Sequence, residues 1–326
     1  MVINRNQHAL PPEEALINQY EFRPITTADK PRILEICAKI WDGGDYLPAA
    51  FDAWVADKNG QFTACLHDGQ LIGCGKLGFV SPGHAWLEGL RKDIDLPLKG
   101  VGRALCLYNL RRLQTQAGIK SIRFATYIMD HESINLNEKI GFCRIASATV
   151  RSKIVDAMHR DYNATSASPL TPAETGGYIT RPTADLTELA KNLRAAGWLQ
   201  QFLYASWKAY PAEEPGLLDK FATAGACYDC LDKQGHNAGG IIFWIDHTKR
   251  LLTIIGLAAR DSQAAATLLL RAEKACRQAG YAEIEAMLPA NPAVFRQFAD
   301  CHYQGWEQDD DFLLYEFPLD RLTNLA

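Results

Sequence analysis

Two copies of an α/β (α+β) domain, each a mixed and mostly antiparallel sheet flanked by helices, are what the sequence predicts. Three observations carry that expectation. Short apolar runs are joined in pairs by turn residues, as at Asp68 and Gly69, which is the pattern of a hairpin. Longer runs of helical period lie beyond the hairpins and close on glycine. The order then recurs: Gln116, Ala117, Gly118 and Gln278, Ala279, Gly280 each end a helix and precede a strand, an offset of 162 from 118 to 280. The turn glycines Gly69 and Gly235 are offset by 166. The second copy is therefore about four residues shorter between its hairpin and its helix, where the first carries a glycine-bearing loop, as in a degenerate internal duplication.

In order, residues 20–25 read as a strand and 28–40 as a helix, with Ile33, Leu34, Cys37 and Ile40 at helical spacing. A loop at 41–48 and a helix at 49–56 precede the hairpin strands 61–67 and 70–79. Residues 85–92 read as a strand, 101–117 as an amphipathic helix closed by Gly118, and 121–127 as a strand. A short helix at 132–140 stops at Gly141, and 142–154 returns as strand. The Ser-, Thr-, Ala- and Pro-rich stretch near 163–177 has the composition of a linker. This sets a first domain at 1–160, a linker at 161–177 and a second domain at 178–326. In the second, 186–195 and 262–278 read as helices and 227–232, 239–246 and 251–257 as strands.

The composition narrows the class. The chain has 326 residues, 48% hydrophobic and 22% charged, as globular proteins do, and at roughly 100 to 200 residues per domain the length fits two domains. With 34 Lys plus Arg against 38 Asp plus Glu, no basic face is available for a general phosphate-backbone binder, so no nucleic-acid partner is expected. The longest apolar stretches, 240–245 and 251–259, fall short of the roughly 20 residues that span a bilayer and read as buried strands. Residues 1–20 hold no apolar leader segment, so a cytoplasmic address without a membrane partner is expected. The nine cysteines are scattered through apolar segments, as reduced core thiols are. Cys227 and Cys230 have CxxC spacing, but no second ligand pair accompanies them and 226–231 reads as strand, so no metal is expected.

The chemistry-bearing stretch is Lys99, Gly100, Val101, Gly102, Arg103, Ala104, between a strand and a helix. Small residues at a helix start let backbone N–H groups approach a phosphate, and the helix dipole adds partial positive charge. Taken alone, the same residues read first as a tight turn. No Gly-Lys-Ser or Gly-Lys-Thr follows, and the loop comes after hairpin strands instead of opening a βαβ unit, which sets aside P-loop and Rossmann enzymes.

In context these residues resemble the GNAT N-acetyltransferase superfamily, whose loop reads Gln or Arg, two residues, Gly, one residue, then Gly or Ala. Here Lys99, Gly102 and Ala104 stand at those places, with Lys for the initial Gln or Arg. The family sets the loop after a splayed strand, here 86–92, and later ends a helix with Lys, one residue, Gly, Phe, matched by Lys139, Ile140, Gly141 and Phe142. The resemblance covers about residues 20–154. It implies tandem GNAT-like domains and acetyl-coenzyme A as co-substrate. The pantetheine arm would bond backbone groups of Leu90, Arg91 and Lys92, and the pyrophosphate would rest on residues 100–104, with Asp130, Ser133 and Asn137 completing the cofactor-binding set.

The reaction it implies is direct attack of a neutral amine on the thioester, for which an ammonium of pKa about 8 to about 10.4 must lose a proton. Glu88, two residues before Leu90, is the candidate base; a structural pairing with Arg91 or Arg123 is the alternative. Backbone N–H groups near Leu90 would stabilise the oxyanion. Many members protonate the leaving thiolate with a Tyr two residues before the Lys of that helix ending, but here the position is Asn137. Tyr127 reads either as a substitute or as an amphipathic core residue. Asp130 stands where the family has a cofactor-facing Asn.

Gly43 to Pro48, with Phe51, Trp54 and residues 87–90, are similar to histidine N-acetyltransferase-like members, which acetylate a free amino acid. Asp45 and Tyr46 are accordingly candidates to bind the substrate ammonium or imidazole, or else form a packed turn. In the second copy Ala258, Ala259, Arg260, Asp261 and Ser262 include no glycine, and Asp261 would repel phosphate. That half is expected to bind no cofactor and to wall the acceptor pocket or form a homodimer surface, with Trp244, Tyr303 and Trp306 as core residues. The expected function is N-acetyl transfer to a primary amine of a small molecule. A non-catalytic acyl-coenzyme A binding or sensing protein and a protein-directed acetyltransferase are the alternatives.

Overall fold

The structure, a computed structural model, describes residues 13–155, 175–306 and 308–323. Contact density divides the chain into two compact units: Met1–Phe124 with His131–Arg144 and Tyr315–Ala326, and Ala125–Asp130 with Ile145–Leu314. This division departs from a break at residue 160, because the strand after 144 pairs within the second unit and the C-terminal residues pack within the first. Of the expected linker, 161–174 lie outside the described residues.

In the first unit, helix α1 (Glu13–Ile17) and strand β1 (Glu21–Pro24) lead to helices α2 (Lys30–Cys37) and α3 (Leu47–Ala56). Helix α2 starts two residues later than its periodicity predicts, because Thr27–Asp29 forms its own 3-10 turn. Strands β2 (Gln61–His67), β3 (Gln70–Ser81) and β4 (His84–Lys92) form an antiparallel meander after β1. The turn at Asp68 and Gly69 has φ of 51° and 75°, the left-handed pair that a two-residue hairpin turn requires. Helix α4 (Val101–Gln114) then crosses over to β5 (Ser121–Tyr127), which runs parallel to β4, and α5 (His131–Ile140) follows.

Two apolar layers hold this unit. Ile33, Ile36, Leu47, Phe51, Phe62, Ala64 and Cys74 join α2 and α3 to one face of the sheet. Helix α4 covers the other face: a Cβ on Gly73 of β3 would stand 3.1 Å from Val101 and 3.4 Å from Leu105, so glycine there lets the helix approach the strand. The C-terminal residues complete the unit. Tyr315 stacks on Phe124 at 5.2 Å, Phe317 meets Phe142 edge-on at 5.2 Å, and Arg123 bonds Glu316 at 2.6 Å.

The second unit repeats the order. Its elements are β6 (Cys143–Ile154), β7 (Ile179–Pro182), α6 (Leu186–Ala195), β8 (Phe202–Ala205), β9 (Lys208–Pro211), α7 (Leu217–Ala224), β10 (Ala226–Leu231), β11 (Asn237–Asp246), β12 (Leu251–Ala259), α8 (Ser262–Gln278), β13 (Glu283–Leu288), α9 (Pro292–Asp300), β14 (Gln304–Gly305) and the start of β15 (Phe312–Glu316), whose end, with α10 (Leu319–Leu322), belongs to the first unit. Strands β7, β10, β11 and β12 form the meander, β13 runs parallel to β12, and β6 pairs antiparallel with β13 from Ile154↔Glu283 to Thr149↔Leu288. Cys227 and Cys230 lie in β10 as expected, and burial raises their thiols to about 11 and about 12. Among the described residues, no group of three His, Cys, Asp or Glu is arranged to hold a metal, and no helix is long and apolar enough to cross a membrane.

Candidate active site

The β4–β5 ladder stops early. Its paired residues run from His84↔Ser121 to Trp86↔Arg123, so the ladder ends at Trp86 while β4 continues to Lys92. Within the same stretch β4 is bulged: Cys74 faces Arg91 and Lys76 faces Glu88, so Gly75 stands against both Gly89 and Leu90. Gly89 takes the left-handed φ of 63°, the residue type and conformation that such a bulge requires. A Cβ there would also lie 2.5 Å from the Trp54 ring. The bulge resets the alternation of the strand. Glu88 and Arg91 come to share the face of Lys76 and Cys74, toward α2 and α3, while Leu90 turns to the α4 face. On that first face burial, and after it the Glu88 charge, raise the pKa of the Tyr46 hydroxyl.

The glycine-bearing loop follows β4. Gly100 caps α4 with φ 83° and ψ 0°, and the amides of Val101, Gly102 and Arg103 precede the helical ladder. Ladder bonding begins with Ala104, whose N–H donates to Gly100 O at 2.8 Å. Ala104 is fully buried in the core, so its amide and side chain are not available to a ligand, a correction to the expected set. The loop is braced from outside: Leu16 would meet a Cβ on Gly100 at 2.8 Å, Tyr20 Oη donates to Lys99 O at 2.8 Å, and Arg103 pairs with Glu13 at 3.0 Å. Leu136 of α5 would lie 3.2 Å and Leu90 3.5 Å from a Cβ on Gly102. Lys92 Nζ reaches back to Leu98 O at 3.4 Å. Strand, loop and helix start thus come together.

Other expected residues are placed differently. The Asp45 side chain is 0% exposed; Arg91 donates to both its oxygens at 2.8 and 2.9 Å, and Leu47 N donates to Oδ1 at 3.1 Å. It therefore holds Arg91 instead of facing a substrate. Tyr46 meets Trp54 edge-on at 6.1 Å. Asn137 is buried; its Nδ2 donates to Ser133 O at 2.9 Å, and its Oδ1 accepts from Cys106 Sγ at 3.8 Å. Ser133 and Asn137 are thus brought together, with the amide turned inward. Tyr127 and Asp130 count with the second unit, where Tyr127 packs on Trp306 at 5.1 Å and Asp130 accepts from Thr126 Oγ1 at 3.1 Å. Trp306, expected in the core, is 43% exposed, whereas Tyr303 is buried. The bulge and the pairing of Arg91 with Asp45 were missed by sequence reasoning; the Glu-Gly-Leu-Arg run within a strand is the signal that marks the bulge.

At the corresponding helix start of the second unit, Asp261 Oδ1 accepts from Ala264 N at 2.8 Å and Oδ2 from Tyr178 Oη at 2.8 Å, with Arg260 Nε at 3.4 Å. A carboxylate of the chain itself caps the N-terminus of α8.

Residues 28–142 match the model of the Acetyltransferase (GNAT) family. No curated protein matches the sequence. Among solved structures, a GCN5-related N-acetyltransferase from Sphaerobacter thermophilus is similar with a TM-score of 0.59 at 12% identity, over 92% of this chain and 95% of that one. A tandem GNAT protein from the clavulanic acid biosynthesis pathway reaches 0.55 at 16% identity, over 91% and 98%. The glucosamine N-acetyltransferase region of a fungal multi-domain GH3 β-N-acetylglucosaminidase reaches 0.58 at 11% identity, over 91% of this chain and 38% of that one. At such identities the likeness is one of fold, and the fold is the tandem one. The bulged strand and the glycine-capped helix lie inside residues 28–142, the stretch that matches the GNAT acetyltransferase family, and this match supports an acyltransferase.

Proposed function

We propose that the protein moves an acetyl group from acetyl-coenzyme A to a primary amine of a small molecule, a free amino acid being the first class to test, with Glu88 as general base. The observation that carries this reading is the Gly89 bulge beyond the end of the β4–β5 ladder, which leaves Leu90 toward α4 and brings Arg91 to the face of Glu88. The co-substrate, when bound, supplies an electrophilic thioester carbon. The amides of Val101, Gly102 and Arg103 suit its diphosphate, and the laddered-out backbone of Leu90, Arg91 and Lys92 suits the amides of its pantetheine arm. Glu88 takes the proton that an ammonium must lose before attack, and N–H groups near Leu90 face the developing oxyanion. For the leaving thiolate Tyr127 is the proposed acid, with water in its place if Tyr127 is only packing.

The second copy is proposed to bind no coenzyme A, a role supported by the Asp261 cap. The similarity of residues 43–48 to amino-acid acetylating members supports the acceptor class. Mass spectrometry of products after incubation with acetyl-coenzyme A and a mixture of the protein amino acids tests the reaction. Glu88→Gln is expected to lower kcat/KM by about 10²- to 10⁴-fold and to leave the heat of acetyl-coenzyme A binding in place. Absence of that heat in the unsubstituted protein overturns the reading. The buried, inward-turned Asn137 favours a second reading, a non-catalytic acyl-coenzyme A sensor, which would bind without releasing thiol.

A further inference from the structure

The Arg91 guanidinium stands on β4 directly after the bulge and is 10% exposed. Its Nε and Nη2 meet both Asp45 oxygens at 2.8 and 2.9 Å, a forked geometry that fixes direction as well as distance. Its Nη1 donates to Leu90 O at 3.0 Å, inside the bulge itself. Two rings close on it, Trp41 at 4.6 Å and Tyr46 at 5.6 Å. Asp45 also accepts from the Leu47 N–H at 3.1 Å, at the start of α3. One guanidinium thus fastens the 41–47 loop to the bulge.

That loop is strained. Trp41 and Asp42 have φ of 47° and 53°, a left-handed conformation that is costly for a bulky side chain, and Trp41 is nevertheless 61% exposed. Such strain persists where the surroundings over-determine it, and the Arg91 guanidinium over the Trp41 ring links it to the sheet. Packing alone does not call for an ion pair: apolar residues of the same volume fill a buried site about as well, and what the pair adds is a defined direction.

We propose that Asp45 and Arg91 are positioning residues whose ion pair locks the Leu90 carbonyl and the 41–47 loop together, holding Glu88 at a fixed place on the face they share. The role in catalysis rests on the proposed acetyl transfer; the locking itself does not. Glu88 lies on the same face as Arg91 because of the bulge, so loosening the bulge moves the base, whereas the glycine-bearing loop on α4 is braced independently by Leu16, Tyr20 and Glu13.

Arg91→Lys keeps the charge and the stem but cannot bridge Asp45 and Leu90 at once, and Asp45→Asn keeps the shape without the charge. Hydrogen exchange read by mass spectrometry, calorimetry with acetyl-coenzyme A, and thiol release with the amino-acid mixture are measured on both variants. Peptides spanning 41–47 and 87–91 are expected to exchange about tenfold faster or more, with α4 unchanged. Because Leu90 to Lys92 also face the pantetheine arm, acetyl-coenzyme A affinity should fall several-fold, well short of the drop in kcat of about 100-fold, the scale of a 1 Å misplacement. Millimolar guanidinium should restore part of the kcat lost in Arg91→Ala, and Arg91→Lys carries the other readouts should that variant not fold. Unchanged exchange over 41–47 and 87–91 overturns the proposal whatever the activity. So do parallel losses of affinity and kcat without guanidinium rescue, since these mark packing alone. If the unsubstituted protein binds no acetyl-coenzyme A, the proposed function falls and the exchange result still decides the locking.

Discussion

Glycine at position 89 meets two demands that no other residue meets together: a left-handed φ of 63° and an indole 2.5 Å from where a Cβ would stand. Gly89→Ala is therefore expected to lower stability by about 1 to 3 kcal/mol, read as a lower urea midpoint at unchanged slope, and to reduce acetyl transfer more than acetyl-coenzyme A binding. The thiols make a second prediction. Burial lifts Cys37, Cys65 and Cys106 to about 12, while Cys143 is exposed, so iodoacetamide at pH 8 should label Cys143 well before these three, as peptide mass spectrometry would show. A third concerns acid. Arg23 bonds both Asp29 oxygens at 2.7 Å and, against some burial, holds its carboxyl down at about 2. Because the folded value lies below the unfolded one near 3.9, this pairing stabilises the protein above that pH and is lost as pH falls toward 2. Asp29→Asn should flatten the acid limb of a Tm-versus-pH curve across that window.

At the scale of elements, the glycine-bearing loop depends on a helix that carries none of its motif. Helix α1 and the residues after it brace the start of α4 through Leu16, Glu13 and Tyr20. Tyr20→Phe removes one hydrogen bond, of net value about 0.5 to 1.5 kcal/mol, and acetyl-coenzyme A affinity should drop by a few-fold in calorimetry with the fold intact. The hairpins with glycine turns were legible from sequence, since Asp68 and Gly69 name their own geometry. The β8–β9 hairpin was not: its turn is Ser206 and Trp207, with φ of 49° and 63°, residues that carry no turn signal. Tertiary bonds hold it instead, with Ser206 Oγ donating to Asp246 at 2.6 Å and Lys249 Nζ to Ser206 O at 2.9 Å.

At the scale of the molecule, the first unit is not contained in the first half of the chain. Tyr315, Glu316 and Phe317 lie against Phe124, Arg123 and Phe142, and Gln114 donates to Leu322 O at 2.6 Å. Loss of a buried aromatic side chain costs about 3 to 5 kcal/mol, and two are involved here. A chain of residues 1–160 alone is therefore expected not to fold. Stopping the full chain after Leu314 should abolish acetyl-coenzyme A binding, while hydrogen exchange in α8 and β12 stays slow; retained binding would show that the C-terminal residues are dispensable.

Local patterns alone determined the glycine-turned hairpins, the long amphipathic helices, the repeat and the glycine-bearing loop, because turn chemistry and apolar period are properties of neighbouring residues. Asp45 shows the limit: its residue type suits an ammonium, and only its burial beneath Arg91 reveals a different partner. The face on which Arg91 sits, the partner of Asp45 and the membership of residues 315–323 were decided by tertiary structure. A one-residue bulge reverses every later side chain of a strand, and a closing strand is chosen by the apolar surface left uncovered, however distant in the chain.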